Sequence, residues 1–120
     1  MRRINLDDFK EYIKKAKKSG LVFCKNTVYY GLFKNEEMIG FTGILPYSNK
    51  FVFKNSFVLE KHRGKGYHKK MMDYRIKLAK LSGVKIIEAT CTNMSLNNYL
   101  KYDFKIIKEY KLYTKVRKHI

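Results

Sequence analysis

The segment Arg63-Gly64-Lys65-Gly66-Tyr67-His68, with Lys69 and Lys70 behind it, has residue types and spacing suited to holding an anion. It follows an apolar, β-branched run from Phe51 to Leu59, broken at Lys54-Asn55-Ser56, which reads as a strand. After Gly66 the period changes. Met71, Tyr74, Leu78 and Leu81 trace one face of a helix that Gly83 ends. A glycine turn between strand and helix aims unpaired backbone N–H groups at one point, backed by the positive end of the helix dipole. Arg63, Lys65, Lys69 and Lys70 add charge around it, so a phosphate-bearing ligand suits the turn. Two common phosphate loops do not fit. The P-loop needs four residues between its glycine and Gly-Lys-Ser/Thr, and the dinucleotide fingerprint needs a third glycine where Lys69 stands. An ordinary basic turn between a strand and a helix would have the same composition.

The elements that must position this turn follow from the rest of the chain. Asn5 is a candidate N-cap for a helix traced by Leu6, Phe9, Tyr12, Ile13 and Ala16 and ended by Gly20. Leu21 to Cys24 and Val28 to Phe33 read as short strands, Lys34 to Glu37 as a turn, and Met38 to Leu45 as a strand. Pro46 to Lys50 turns the chain into the strand before the motif. Beyond the motif helix, Lys85 to Thr92 is a strand, so strand, helix and strand form a right-handed parallel crossover. A short helix over Ser95 to Lys101 and a hairpin of Phe104 to Tyr110 with Leu112 to Val116 complete an α/β sandwich around a mixed sheet.

Composition bounds the rest. The chain has 120 residues, enough for one domain spanning residues 1–120, and 45% are hydrophobic, so it is not disordered. The N-terminus lacks the apolar stretch of a secretory signal, and no run is long enough to span a bilayer. Cys24 and Cys91 are isolated, and His62, His68 and His119 have no metal-ligand spacing, so no metal site is expected and a reducing, cytoplasmic location is. The formal net charge is +17, with 27 Lys and Arg against 10 acids. Such a field attracts nucleic acid or an acidic partner, although the same lysines can simply be a solvated face.

The glycine motif resembles the pyrophosphate-binding signature of the GNAT family of N-acetyltransferases, Arg/Gln-x-x-Gly-x-Gly/Ala, at the same strand-to-helix junction. The first four positions match, and His68 stands where the sixth residue is usually small. The segment Thr92-Asn-Met-Ser-Leu-Asn-Asn-Tyr-Leu-Lys-Tyr-Asp-Phe104 is similar to a second family pattern, Asn-x-x-Ala/Ser-x-x-x-Tyr-x-Lys-x-Gly-Phe, through Ser95, Tyr99, Lys101 and Phe104. Thr92 occupies the asparagine position, with Asn93 one step late, and Asp103 replaces the glycine. Aspartate tolerates the left-handed conformation that ends a helix, so the turn is expected to survive.

The resemblance implies a GNAT-like α/β/α sandwich around a mixed, mostly antiparallel sheet with a central βαβ crossover. It implies acetyl-coenzyme A (acetyl-CoA) as cosubstrate, with the pyrophosphate on Arg63, Gly64, Lys65, Gly66, Tyr67, His68 and Lys69. The backbone of Phe57, Val58 and Leu59 would pair with the pantetheine arm, one N–H facing the developing oxyanion, and Asn93 would add a contact. Tyr99 would be the general acid, since a phenol (reference pKa about 10) and a thiol (about 8.5) are close enough for proton transfer. Glu88 is the only acid on a strand near the expected cleft and so the candidate base, with water as the alternative. The activity implied is direct transfer of an acetyl group to a primary amine in a ternary complex. A basic nucleic-acid-binding module, suggested by aromatic and lysine residues interleaved in Val28–Lys34 and Lys50–Lys54, is a competing reading. A catalytically inactive coenzyme-binding relative is another. The acceptor, and whether the protein is a monomer or a homodimer, are not written in the sequence.

Overall fold

The computed structural model describes all residues, Met1–Ile120. In chain order it has β1 (Arg2–Ile4), a 3-10 turn (Leu6–Phe9), α1 (Lys10–Lys18), β2 (Val28–Lys34), β3 (Glu37–Pro46) and β4 (Lys50–Val58). A second 3-10 turn (Glu60–His62) leads to α2 (Tyr67–Ser82), β5 (Ile86–Cys91), α3 (Asn93–Leu100), β6 (Lys105–Glu109) and β7 (Thr114–His119). The strands form one sheet in the order β1-β2-β3-β4-β5-β7-β6. Only β4 and β5 run parallel, joined through α2, so the sheet is mixed and mostly antiparallel with a central βαβ crossover, as expected. No helix is long and apolar enough to cross a membrane.

Local chemistry explains the boundaries. Asn5 caps the first helical turn, its Oδ1 accepting from the Asp7 N–H at 3.0 Å. Asn35 and Glu36 both have positive φ (51° and 68°), the type I′ geometry whose twist matches a tight hairpin between β2 and β3. Gly83, at φ 87°, closes α2 in the left-handed conformation. Asp103 adopts φ 65°, so the turn after α3 keeps its shape without glycine.

Four sequence expectations need correction. Leu21 to Cys24 is not a strand. Its alternation is real, because Leu21 and Phe23 pack on the core while Val22 is exposed, but the Val22 carbonyl accepts from the Asn55 side chain and not from a neighbouring strand. The N-terminal strand β1 was not anticipated; three residues with two arginines give no period to read. The first helix begins as a 3-10 turn. The buried face of α2 is Met71, Met72, Arg75, Ile76 and Ala79, while Leu81 is 73% exposed. An arginine on the inner face hid the true stripe.

Each side of the sheet has its own core. Against α1 lie Tyr29, Met38, Phe41 and Phe57, closed by Ala16. Against α2 and α3 lie Phe53, Ile87, Ala89 and Val116, with Met72, Ile76 and Tyr99 from the helices. Phe53 and Phe57 are four residues apart on one strand, so simple alternation would put them on the same face. A β-bulge separates them. Thr42 faces Ser56 and Ile44 faces Phe53, so β4 holds one more residue than β3 between those pairs. The extra residue falls at Lys54-Asn55, where the apolar run of the sequence is broken.

Candidate active site

The bulge is where the sheet opens. β4 pairs with β5 only from Lys50↔Ile86 to Phe53↔Ala89. From Lys54 onward the two strands diverge, and a cleft of about 1070 Å³ occupies the gap. Its walls are the bulge residues Lys54, Asn55 and Ser56, the end of β5, the first turns of α2, and α3 with Ser95, Asn98 and Tyr99. At its other end lies the loop after α1, which Asn55 holds in place by donating to the Val22 carbonyl (2.7 Å) and accepting from the Tyr29 hydroxyl (3.0 Å). The cleft thus reaches from the α2 side of the sheet through to the α1 side.

The glycine turn leads into the first turn of α2, where His68 and Lys69 border the cleft. Gly64 and Gly66 have φ of 76° and 83°, values that a side chain would strain. The backbone N–H groups from Gly64 to Lys69 have no acceptor within the chain; the first paired donor is Lys70, bonded to the Gly66 carbonyl. This row of free donors opens a helix of four turns, the local geometry that favours an anion. The side chains divide differently. Arg63 turns back, its Nε donating to the Val58 carbonyl at 2.9 Å with the guanidinium over the Phe57 ring. Lys69 is paired with Asp73 at 2.9 Å, and Asp73 also accepts from the Tyr102 hydroxyl. Lys65 and Lys70 have no carboxylate partner. Tyr67 is half-buried beside His62.

His68 lines the cleft in the first turn of α2. Desolvation, with the charges of Arg75 and Arg63, pulls its imidazole below the ordinary value, so it is neutral near pH 7. The residue is exposed at the cleft wall.

Of the three strand residues expected to present backbone groups, Val58 does so. Leu59 N–H donates to the Ile39 carbonyl, so the alternation of an antiparallel pair turns Val58, and Ser56 before it, toward the cleft side. The Val58 carbonyl is taken by Arg63, which leaves its N–H. Phe57 and Leu59 instead line a smaller hollow on the α1 side with Lys61 and Arg63. Asn93 is exposed at the start of α3 and is not part of the cleft wall, whereas Thr92 is.

Tyr99 lies in the cleft wall, 9% exposed, with its ring edge-on to Phe104 at 5.1 Å. Its position therefore serves core and cleft together. Glu88 is placed elsewhere. It is 3% exposed, projects from the opposite face of β5 to Ala89 and Cys91, and does not line the cleft. Lys50 donates to it at 2.8 Å, Arg117 Nε at 2.8 Å, and Lys115 approaches to 3.9 Å. Burial alone would raise this carboxyl, but those cations outweigh it and hold it below the usual range. A carboxylate so saturated is a poor proton acceptor. Cys91 is buried, its thiol pushed up by desolvation, and it donates to the Thr114 carbonyl at 3.5 Å as a core residue would.

The residue that sequence reasoning missed is Arg75. It is 2% exposed, borders the cleft, and donates to the Gly43 carbonyl (3.4 Å) and the Lys54 carbonyl (3.2 Å), both at the bulge. Its only signal was spacing: it lies four residues after Met71 and four before Ala79, on a face otherwise apolar.

The family model for the acetyltransferase (GNAT) family matches residues 2–104. The chain belongs to this family. No curated protein matches its sequence. Among solved structures it is similar to a GNAT family acetyltransferase from Elizabethkingia anophelis with acetyl-CoA bound (21% identity, TM-score 0.70, covering 92% of this chain and 83% of that one). It is also similar to the IAA acetyltransferase from Bacillus cereus (19%, 0.72, 99% and 97%) and to the PaiA N-acetyltransferase from Thermoplasma acidophilum in complex with coenzyme A (15%, 0.73, 98% and 80%). At these identities the likeness is one of fold. It runs over nearly the whole GNAT chain described here.

Proposed function

We propose that this GNAT protein is an N-acetyltransferase that moves the acetyl group of acetyl-CoA to a primary amine by direct attack in a ternary complex. The observation that carries this reading is the continuity of the free N–H row at Gly64–Lys69 with the cleft that passes Tyr99 and the β4 bulge. The coenzyme's pyrophosphate fits the N–H row, with Lys65 and Lys70 supplying charge. The pantetheine arm carries amides, and the strand edge at Ser56 and Val58 offers them backbone partners as a missing strand would. Two solved relatives hold acetyl-CoA or coenzyme A in their structures, which supports the same cosubstrate here.

The amine approaches from the loop after α1 and attacks the thioester carbonyl carbon. The C–N bond forms, the C–S bond breaks, and sulfur leaves with the electron pair. The Tyr99 hydroxyl supplies a proton to that sulfur. Backbone N–H groups at the bulge face the developing oxyanion. Water takes the amine's proton, since Glu88 lies on the far face under its cations and no carboxylate lines the cleft.

The lining also constrains the acceptor. Lys54, Lys69, Arg75 and Lys101 border the cleft without an acid among them. A polyamine would meet like charge, so the acceptor is an amine on a neutral or anionic scaffold. The test is thiol release from acetyl-CoA over a panel of amines matched for size and differing in charge. Turnover with amino acids or phosphorylated amines and none with spermidine is expected; efficient acetylation of spermidine would contradict the acceptor class.

A further inference from the structure

The sheet is covered unevenly. The core beneath α1 draws its strand residues from β1 to β4, and no residue of β5, β7 or β6 belongs to it. Helices α2 and α3 pack on the opposite face, against Ile87, Ala89 and Val116. Strands β5, β7 and β6 therefore show their α1-side face with no layer over it, and every residue of β6 is exposed. Register assigns the residues of that face, because partners across a ladder project the same way. Lys50 pairs with Ile86, Glu88 with Arg117, Thr90 with Lys115, Lys105 with Arg117 and Lys108 with Lys115. Lys50, Lys105, Lys108, Lys115 and Arg117 thus share one face with a single carboxylate, that of Glu88. Glu109, paired with the buried Thr114, points the other way. From β4 to β6 the array spans three ladder spacings, about 14 Å. A solvated face normally mixes both signs; here one carboxylate answers five cations, which keep donors turned outward.

Aromatic rings flank these cations. Tyr110 lies two residues after Lys108 and Tyr113 two before Lys115, so both fall on the same face. Their rings are 4.7 Å apart and 41% and 44% exposed, with Lys108 Nζ 5.0 Å from the centre of Tyr110. On the other side Tyr47, half exposed, lies 5.5 Å from Lys50 Nζ. We propose that the uncovered face of β5, β7 and β6 binds single-stranded nucleic acid, its phosphates on the five cations and its bases on Tyr47, Tyr110 and Tyr113. Charge complementarity selects a polyanion, and the exposed rings select one with flat bases over an acidic polypeptide. A second copy of the chain would set five cations against five. The site uses neither coenzyme nor catalysis, so it stands apart from the acetyl-transfer reading. The cleft reaches the same face at Thr90, which lines it and pairs with Lys115, so a bound strand would lie along the cleft's edge.

The test is fluorescence anisotropy with a labelled oligothymidylate of about 15 nucleotides, read from about 50 to 200 mM salt. With five phosphates held, affinity should fall about a hundredfold across that range. Lys105→Glu with Lys108→Glu should weaken binding by at least about tenfold and reduce the fall to about twentyfold. Tyr110→Ala with Tyr113→Ala should weaken binding about tenfold and leave the salt dependence unchanged. Lys77→Glu with Lys80→Glu makes the same change in net charge on the exposed side of α2, in the opposite layer, and should stay within about threefold of wild type. Should the β6 variant fail to fold, the tyrosine variant in the hairpin loop still decides. No binding at the lower salt, or an equal loss in the α2 variant, would overturn the proposal. So would polyglutamate competing as well as the oligonucleotide with the tyrosine variant unaffected, which would make the partner an acidic protein. A dimer in sedimentation that the β6 variant splits would give the face to a second copy and overturn it too.

Discussion

Glu88 and Arg75 are both buried, both charged, and lie on opposite faces of the same sheet, yet their surroundings differ completely. Glu88 has Lys50, Arg117 and Lys115 around one carboxylate. Arg75 has two carbonyls, a thioether and the Phe53 ring, and no carboxylate. The first is a finished structural cluster in which the anion ties β4, β5 and β7 together. The second is an incomplete one placed against a cleft. Burial and charge alone would mark both as functional candidates; whether the partners are already present separates them.

The contrast is broken most directly by truncation. Arg75→Ala removes the donors that satisfy the two bulge carbonyls and leaves a cavity, and should destabilise the fold by about 4 kcal/mol in urea unfolding. Tyr99→Phe should leave stability nearly unchanged but slow acetyl transfer about a hundredfold, the low end for loss of a general acid. Glu88→Ala leaves Lys50, Lys115 and Arg117 without a counter-charge. Their side chains are about a third exposed, so water screens much of the repulsion and the expected loss is about 2 kcal/mol. Its rate should stay within about threefold of wild type, and a hundredfold loss would restore Glu88 as the base.

Acid gives a subtler reading of the same cluster. The Glu88 carboxyl is held below its ordinary value of 4.5 in the folded protein, so its contribution is fully present above that pH and fades as pH falls through the folded value. Unfolding curves of wild type and Glu88→Gln should therefore converge only below pH 4.5. Smallest of all is Lys115→Ala. At 3.9 Å and 38% exposed, Lys115 should matter by less than about 0.5 kcal/mol.

Much of this was legible in the sequence for identifiable reasons. The glycine turn is a local feature whose backbone geometry follows from Gly64 and Gly66 themselves, and the N–H row appeared as drawn. Asp103 took the left-handed conformation that its side chain permits. The crossover was readable because strand, helix and strand have distinct periods. What failed depends on tertiary partners. The bulge follows from how β4 registers against β3, and Lys54-Asn55-Ser56 showed only as a break in the pattern. Glu88 looked near the cleft because it is the acid on the strand next to the motif strand; the face it projects from is set by its register with Val52 and Arg117. Arg75 stayed hidden because a charged residue on a helix reads as solvent-facing unless its neighbours four residues away are weighed.

The most direct test of the account is titration of acetyl-CoA into the wild-type protein and into Gly66→Glu, which places a carboxylate and a strained side chain in the N–H row. Saturable one-to-one binding to wild type that Gly66→Glu abolishes, with both proteins folded, is the predicted result. Equal binding to the two proteins, or none to the wild type, would contradict the placement of the coenzyme on which the mechanism stands.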